Sequence, residues 1–243
     1  MISPRERLIV ALDVASSAEA QKIVSSLGDA VQTYKVGMQL YTAEGPHVVR
    51  NLVALGKSVF LDLKYHDIPN TVAAAVREAA QLGVSMLTVH ASGGTEMLQA
   101  ATEVARSSRS VPHVLAVTVL TSMDEQELNL TGVPGSVEHH VFWLACLALK
   151  AGCTGVVSSA REVKALRAGL GNDFLAVTPG VRPAGAPHGD QARVVTPTEA
   201  ISAGATHIVV GRPITAAPDP VAAVESMLQE LEKAELVVGS RAK

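Results

Sequence analysis

Phe60-Leu61-Asp62-Leu63-Lys64-Tyr65-His66-Asp67-Ile68-Pro69-Asn70-Thr71 is the stretch that says most about the fold and the chemistry of this chain. Its first half is typical of a buried strand, yet it carries a carboxylate and an ammonium. Because side chains alternate along a strand, Asp62 and Lys64 are predicted to point to the same face. Pro69 cannot donate to a strand ladder and pushes the preceding residue toward extended or turn geometry, so the strand ends before Asp67.

The three charged side chains of this segment, Asp62, Lys64 and Asp67, indicate a functional site. A single buried Asp–Lys pair is often purely structural, because each charge neutralises the other. A lysine between two carboxylates leaves a net negative charge, whose burial is costly unless a ligand or a metal uses it. The functional interpretation is therefore favoured over the structural one.

Short apolar runs recur along the chain and alternate with segments of helical length. The predicted strands are Leu8–Val14, Thr33–Met38, Ser58–Tyr65, Met86–Ala91, His113–Leu120, Gly155–Ser159, Phe174–Gly180 and His207–Arg212. The predicted helices are Ser17–Leu27, Ala43–Leu55, Asn70–Leu82, Thr95–Arg106, Val137–Lys150, Arg161–Ala168, Pro197–Ala203 and Pro220–Glu232. Eight such units with right-handed parallel crossovers predict an α/β fold, the (β/α)8 TIM barrel. A doubly wound open sheet is the alternative.

Length and composition favour a single domain over residues 1–243, since no Gly/Ser-rich or Pro-rich spacer divides the chain. The net charge of −3 and the scarcity of aromatic residues argue against a nucleic-acid partner. No run of about 18 uncharged apolar residues is present, so we expect a cytoplasmic protein without a membrane partner. Cys146 and Cys153 lack the spacing of a zinc site or a disulfide framework, and we expect buried thiols.

Candidate site residues lie at the predicted carboxyl ends of the strands, where barrels of this kind carry their catalytic groups, except Lys35, which lies within the second strand. In strand order they are Asp13; Lys35; Asp62 and Lys64; His90 and Ser92; Thr121 and Ser122; Ser158 and Ser159; Pro179 and Arg182; and Gly211 and Arg212. We therefore expect these residues to converge on one rim.

Gly211 and Arg212 predict the anion-binding end of that rim. A glycine lets backbone N–H groups approach an anion, and a guanidinium offers a bidentate charged fork. The end of the eighth strand is also where such barrels tend to bind phosphate, although a surface Gly–Arg turn is the alternative. The polar loop that follows the seventh strand is expected to cover the phosphate. Its Arg182 and Gln191 either reach the ligand or are solvated loop residues.

Six motifs of the chain resemble those of orotidine 5'-phosphate decarboxylases of the bacterial type. They are Ala11-Leu12-Asp13, Lys35-Val36-Gly37, Asp62 to Thr71, Leu120-Thr121-Ser122, Thr178-Pro179-Gly180-Val181-Arg182 and Val210-Gly211-Arg212. The third motif is highly specific, whereas the others are individually weak but occur in the same order over essentially the whole chain. The resemblance implies a decarboxylase that converts orotidine 5'-phosphate to uridine 5'-phosphate, the last step of de novo pyrimidine synthesis.

The resemblance also implies a role for each matching residue. Lys35, Asp62, Lys64 and Asp67 would form the charged catalytic network of the family, with Lys64 as proton donor. Asp13 would bind a ribose hydroxyl, Thr121 and Ser122 would lie at the pyrimidine, and Gln191 would bridge pyrimidine and phosphate. Arg182, Gly211 and Arg212 would surround the phosphate region, and Lys35 and Pro179 would also bind the substrate. In the family the equivalents of Asp67 and Thr71 enter the neighbouring subunit's site, which implies a homodimer with shared active sites.

The chemistry itself explains why such a network is needed. Loss of carbon dioxide from orotate leaves a carbanion in the ring plane, which the π system cannot delocalise. A fixed ammonium at Lys64 places positive charge where negative charge develops and then delivers a proton to the same carbon. We expect no cofactor and no metal, because no dinucleotide fingerprint, Schiff-base context or metal-ligand cluster is found.

Two other functions remain open from the sequence. A metal-dependent sugar-phosphate enzyme resembling 3-keto-gulonate-6-phosphate decarboxylase would share the Asp-x-Lys-x-x-Asp core. Such enzymes have an acidic metal ligand on the second strand, where this chain has Lys35, and a cation there would repel magnesium. The second alternative is a non-catalytic barrel that binds pyrimidine nucleotides as a sensor, although binding alone would not need a buried charge array.

Overall fold

The computed structural model describes residues 2–183 and 195–241 of the chain. Eight parallel strands hydrogen-bond in chain order, and the eighth pairs with the first to close a barrel. They are β1 Leu8–Ala11, β2 Thr33–Gly37, β3 Ser58–Tyr65, β4 Met86–His90, β5 His113–Val117, β6 Gly155–Val157, β7 Leu175–Thr178 and β8 His207–Val210. The predicted (β/α)8 barrel is confirmed, and the alternative of an open sheet is wrong.

One short helix precedes β1, and the others follow the strands. They are α1 Pro4–Arg7, α2 Ser17–Leu27, α3 Met38–Glu44, α4 His47–Ala54, α5 Pro69–Gln81, α6 Gly94–Ser107, α7 Glu125–Leu130, α8 Val137–Lys150, α9 Ala160–Leu170, α10 Pro197–Ser202, α11 Arg212–Thr215 and α12 Pro220–Arg241. Within residues 2–183 and 195–241, no helix is both long enough and apolar enough to cross a membrane.

The predicted helix Ala43–Leu55 begins too early: α4 forms its second part, from His47 to Ala54, and the separate helix α3 before it was not predicted. Gly45 ends α3 with a φ of 65°, a conformation that glycine adopts without steric cost. Pro46 follows and serves as the N-cap of α4.

Most of the predicted strands extend beyond the observed ones, because the chain leaves the hydrogen-bonded sheet at the carboxyl rim of the barrel. The predicted strand His207–Arg212, for example, stops at Val210, and Arg212 begins α11.

Two apolar layers hold the barrel together. The larger lies between the strands and the surrounding helices. The smaller fills the barrel interior with Ile9, Ala11, Phe60, Met86, Leu115, Val177 and Val209. Because strand side chains alternate, the residue two positions beyond each of these points inward one layer nearer to the rim. The interior is therefore a packed plug, and the next inward layer forms the floor of a site at the carboxyl ends of the strands.

His207, buried at the start of β8, makes stability depend on pH. Burial lowers its pKa to about 4, and the positive charges of Arg7 and His113 act in the same direction. Because the pKa in the folded chain lies below the ordinary value near 6.5, the unfolded chain binds the proton more readily. Stability is therefore complete above about pH 6.5 and falls by about 3 kcal/mol as the pH drops toward 4.

Urea unfolding of the wild type and of His207→Gln at pH 7 and pH 4.5 checks this effect. The wild type is expected to lose about 2 kcal/mol more than the variant between the two pH values. His47→Gln, a change at an exposed histidine, serves as the control and is expected to behave as the wild type does. Equal losses in the wild type and His207→Gln would contradict this role of His207.

Candidate active site

A cavity of about 410 Å³ opens at the carboxyl ends of the strands. Nine of the predicted site residues line it: Asp13, Lys35, Asp62, Lys64, Thr121, Pro179, Arg182, Gly211 and Arg212. Apolar side chains from five strands complete its walls, namely Ala11, Phe60, Val117, Val157 and Val209. The cavity thus combines a charged end with an apolar surface against which a planar ring would pack.

Four charged residues form a row of alternating sign across the cavity. The Lys35 ammonium lies 2.8 Å from Asp13 Oδ1 and 3.8 Å from Asp62 Oδ2, so it links the segment that follows β1 to β3. The Lys64 ammonium donates to Asp62 Oδ1 at 2.9 Å. The side chains of Lys35 and Asp62 are only 11% and 15% exposed, so these pairs are screened less by water than surface pairs. Each ammonium is therefore fixed beside a carboxylate.

Gly37, the last residue of the second motif, leaves room for the ion pair of Lys35 and Asp13. A Cβ atom added at position 37 would lie 2.9 Å from Lys35 Nζ and 3.1 Å from Asp13 Oδ1. The ion pair between Asp13 and Lys35 therefore occupies the space into which a side chain at position 37 would project. Because side chains alternate along β2, a side chain at position 37 would lie on the same face as that of Lys35 and would crowd it.

Lys64 has an unusual backbone conformation, with a φ of 54°. This left-handed region costs about 1 to 2 kcal/mol for residues other than glycine, and such strain often marks functional positions. It coincides with a bulge in β3. Leu61 pairs with Leu87 and Tyr65 with Val89, so three residues of β3 lie opposite the single residue between these partners on β4. Asp62 and Lys64 share a face as predicted, but this bulged backbone replaces the regular strand that was expected.

Thr88 on β4 is the residue that lies opposite the bulge of β3. It was not among the predicted site residues. Its hydroxyl donates to Asp62 Oδ1 at 3.0 Å and accepts the backbone N–H of Lys64 at 2.9 Å. The side chain is fully buried. The signal that would have found it is alternation, because Met86 points into the barrel and the residue two positions on must do the same.

Asp67 and Thr71 do not line the cavity of their own chain. Both are exposed, and Asp67 Oδ1 accepts the N–H of Ile68 at 2.6 Å. Among the described residues Asp67 forms no salt bridge, so Asp62 alone of the two carboxylates contacts the Lys64 ammonium within the chain. The expected place of Asp67 and Thr71 in a neighbouring subunit's site stays a prediction.

Two predicted site residues remain, Ser122 and Gln191. Ser122 is not among the residues that line the cavity, although its neighbour Thr121 is. Gln191, predicted to lie between pyrimidine and phosphate, falls outside the described residues.

Arg182 and Arg212 form a positive end of the cavity, beside Gly211. Arg182 is buried, and both burial and the charge of Arg212 lower its pKa. Two guanidinium groups that repel each other in this way are attracted jointly to a dianion between them. The geometry therefore favours a phosphate at this end of the cavity.

His66 and His90, at the rim of β3 and β4, pack against each other with ring centroids 5.5 Å apart. Burial lowers the pKa of His90, and the positive charges of His66 and Lys64 contribute to this shift. Within the two described ranges, no group of three or more His, Cys, Asp or Glu residues is arranged to hold a metal ion.

A closed (β/α)8 barrel with an Asp–Lys row at its carboxyl rim and a basic anion site defines a class of phosphate-binding barrel enzymes. Within this class, the chain belongs to the orotidine 5'-phosphate decarboxylase / HUMPS family, whose model matches residues 6–227. It is accordingly a decarboxylase, an enzyme of the carbon–carbon lyase class.

Relatives and a solved structure support this assignment. The orotidine 5'-phosphate decarboxylase of Moorella thermoacetica is 50% identical over 234 residues, which cover 94% of this chain and 93% of the relative. That of Anaeromyxobacter dehalogenans is 51% identical over 226 residues, covering 93% and 98%. The crystal structure of orotidine 5'-phosphate decarboxylase from Lactobacillus acidophilus has a TM-score of 0.83 and 42% identity, and the match covers 92% of this chain and 98% of that one.

Proposed function

We propose that this enzyme converts orotidine 5'-phosphate to uridine 5'-phosphate and carbon dioxide, the last step of de novo pyrimidine synthesis. The observation that carries the proposal is the Lys64 ammonium, held 2.9 Å from Asp62 Oδ1 at a cavity that ends in Arg182 and Arg212. The matching names of the curated relatives support the choice of substrate.

The cavity offers a complementary group for each part of this substrate. Arg182 and Arg212 would bind the phosphate dianion, and Asp13, 58% exposed beside Lys35, would accept a ribose hydroxyl. Thr121 and the apolar walls would contact the pyrimidine. This binding energy, remote from the reacting carbon, would position C6 of the ring at Lys64.

The proposed reaction breaks the bond between C6 and the carboxylate carbon, and the electron pair stays on C6. The Lys64 ammonium stabilises the developing negative charge and then transfers a proton from Nζ to C6, which leaves a neutral amine. The Asp62 carboxylate holds the ammonium in place before the reaction, so little reorganisation is needed. Asp62 would also repel the carboxylate of the substrate, and this repulsion would be relieved as carbon dioxide departs.

We infer that the reaction needs no metal or organic cofactor. The carboxylates of Asp13 and Asp62 each face a lysine ammonium within 4 Å. A divalent cation at these oxygens would meet the positive charges of Lys35 and Lys64, which argues against the metal-dependent alternative. The charge row itself supplies the electrostatic stabilisation that a metal would otherwise provide.

We further propose that two copies of this chain form a dimer in which Asp67 and Thr71 complete the partner's site. Both residues are exposed, and neither lines the cavity of its own chain. Ile68 and Met38 follow the neighbouring strands β3 and β2 at the same end of the barrel and are 67% and 55% exposed. Exposed apolar side chains next to unpaired acidic groups suit a contact with a second copy.

Two broader proposals complete this account. Residues 1–243 would act as one domain, since a single closed barrel uses strands from Leu8 to Val210. The location would be cytoplasmic, because Cys146 and Cys153 are both free thiols, as is usual in reducing compartments.

Product analysis tests the proposed reaction. Purified protein incubated with orotidine 5'-phosphate is expected to release carbon dioxide and uridine 5'-phosphate in equal amounts, over many turnovers per chain. Tight binding of uridine 5'-phosphate without any turnover would overturn the proposal and favour the nucleotide sensor.

A further inference from the structure

We propose that Thr88 is a positioning residue for the decarboxylation, because its hydroxyl joins the Asp62 carboxylate to the backbone of Lys64. The proposal rests on the proposed function, since Thr88 would act through the residue that supplies the proton. Thr88 itself does not line the cavity, so its effect on the reaction is transmitted through these two neighbours.

The hydrogen bonds of Thr88 close a ring around Lys64. The hydroxyl donates to Asp62 Oδ1 at 3.0 Å, and the same oxygen atom of Asp62 accepts the Lys64 ammonium at 2.9 Å. The ring is completed by the Lys64 N–H, which donates to Thr88 Oγ1 at 2.9 Å. Both ends of the lysine, its backbone and its ammonium, are thus tied to one fixed hydroxyl through short contacts.

This ring lies where the regular ladder between β3 and β4 is interrupted. Three residues of β3 lie opposite Thr88 alone, and Lys64 has a φ of 54° in the left-handed region. A lysine rarely adopts this conformation without support from its surroundings. The hydroxyl of Thr88 provides that support by accepting the N–H that the bulge directs toward it. Because the ammonium lies at the end of a long side chain, a change in this backbone would displace it by ångströms.

A hydroxyl at position 88 can hold the Asp62 carboxylate and the Lys64 backbone at the same time. A hydroxyl donates one hydrogen bond and also accepts, which is the combination that a carboxylate on one side and an N–H on the other require. Thr88 is fully buried, so water is poorly placed to replace it. Valine has nearly the same shape but neither hydrogen-bonding capacity, whereas serine retains both.

Three variants test the proposal by steady-state kinetics with orotidine 5'-phosphate. Thr88→Val is expected to lower kcat about 100-fold, the size of effect that a 1 Å misplacement produces, with KM within about 3-fold of the wild type. Thr88→Ser is expected to stay within about 3-fold in kcat, because it keeps both hydrogen bonds. Thr102→Val is the matched control. It also removes a buried hydroxyl, which donates to Ala151 O at 3.1 Å outside the cavity, and it should leave kcat near that of the wild type.

The opposite results would overturn the proposal. Thr88→Val could have the same kcat as Thr102→Val, or it could change KM alone. Thr88→Ser could also show the same loss of kcat as Thr88→Val. If Thr88→Val is insoluble, Thr88→Ala is compared in its place with the same expectations. A purely structural role would lower thermal stability alike in the valine variants at positions 88 and 102 without separating their kcat values.

A crystal structure of Thr88→Val gives a readout that does not depend on turnover. Lys64 is expected to leave the left-handed region and its ammonium to move away from Asp62. An unmoved Lys64 would overturn the positioning role even if the wild type decarboxylates orotidine 5'-phosphate. If the wild type has no turnover but Lys64 moves in the variant, the failure belongs to the proposed function instead.

Discussion

Replacing Lys64 by alanine is expected to lower kcat/KM for orotidine 5'-phosphate by about 10⁵-fold. The change removes a fixed charge, whose stabilisation of a developing anion is typically worth about 10² to 10³, and a proton donor, worth about 10² to 10⁴. The two contributions act at the same carbon and are not fully additive. Spectrophotometric assay of the purified variant, at enzyme concentrations high enough to detect the residual rate, measures the loss.

Two controls separate a catalytic loss from a damaged protein. Lys164→Ala removes an exposed lysine on α9, outside the cavity, and is expected to retain full activity. The Lys64→Ala protein should still bind uridine 5'-phosphate within about 10-fold of the wild type, because the phosphate and ribose contacts remain. If Lys64→Ala instead kept its turnover within about 10-fold of the wild type, Lys64 would not be the proton donor.

Mixing two inactive variants is expected to restore activity if sites are shared between subunits. Asp67→Ala should be about 10²-fold or more impaired, because the partner's site loses a carboxylate beside its lysine. In a mixed dimer of Lys64→Ala and Asp67→Ala subunits, one of the two sites contains both wild-type residues. Random exchange of subunits makes about half of the dimers mixed, so about a quarter of the wild-type activity should return.

The matched control for this experiment is a mixture of Lys64→Ala with Asp62→Asn. Asp62 and Lys64 contact each other at 2.9 Å within one chain, so no mixed dimer of these variants contains an intact pair. This mixture should show no gain over its components. The shared-site proposal would fail if the mixture with Asp67→Ala behaved in the same way, or if sedimentation showed only monomers.

Much of the fold was predictable because its information is local and repeated. The predicted bounds of β3 agree with those observed, as do those of α2 and α8. Closure of the barrel followed from eight strand–helix units and the handedness of their crossovers. The nine cavity residues could be found because every strand end of a parallel barrel faces the same rim.

The parts that were missed depend on contacts between neighbouring strands or on single backbone conformations. The bulge at Lys64 arises from the register of β3 against β4, which no pattern within β3 reveals. The same register brings Thr88 to the active site from a strand whose sequence reads as ordinary core. The break between α3 and α4 was missed because Gly45 and Pro46 lie within an otherwise helical run.

The central claim is that a fixed ammonium in a row of paired charges catalyses this decarboxylation without a metal. Its most direct test is the rate of orotidine 5'-phosphate decarboxylation by the chelator-treated wild type, measured before and after addition of Mg²⁺. We predict rapid turnover in the chelator and no further increase with Mg²⁺. Turnover that appears only when the divalent cation is added, or no turnover in either condition, would contradict the claim.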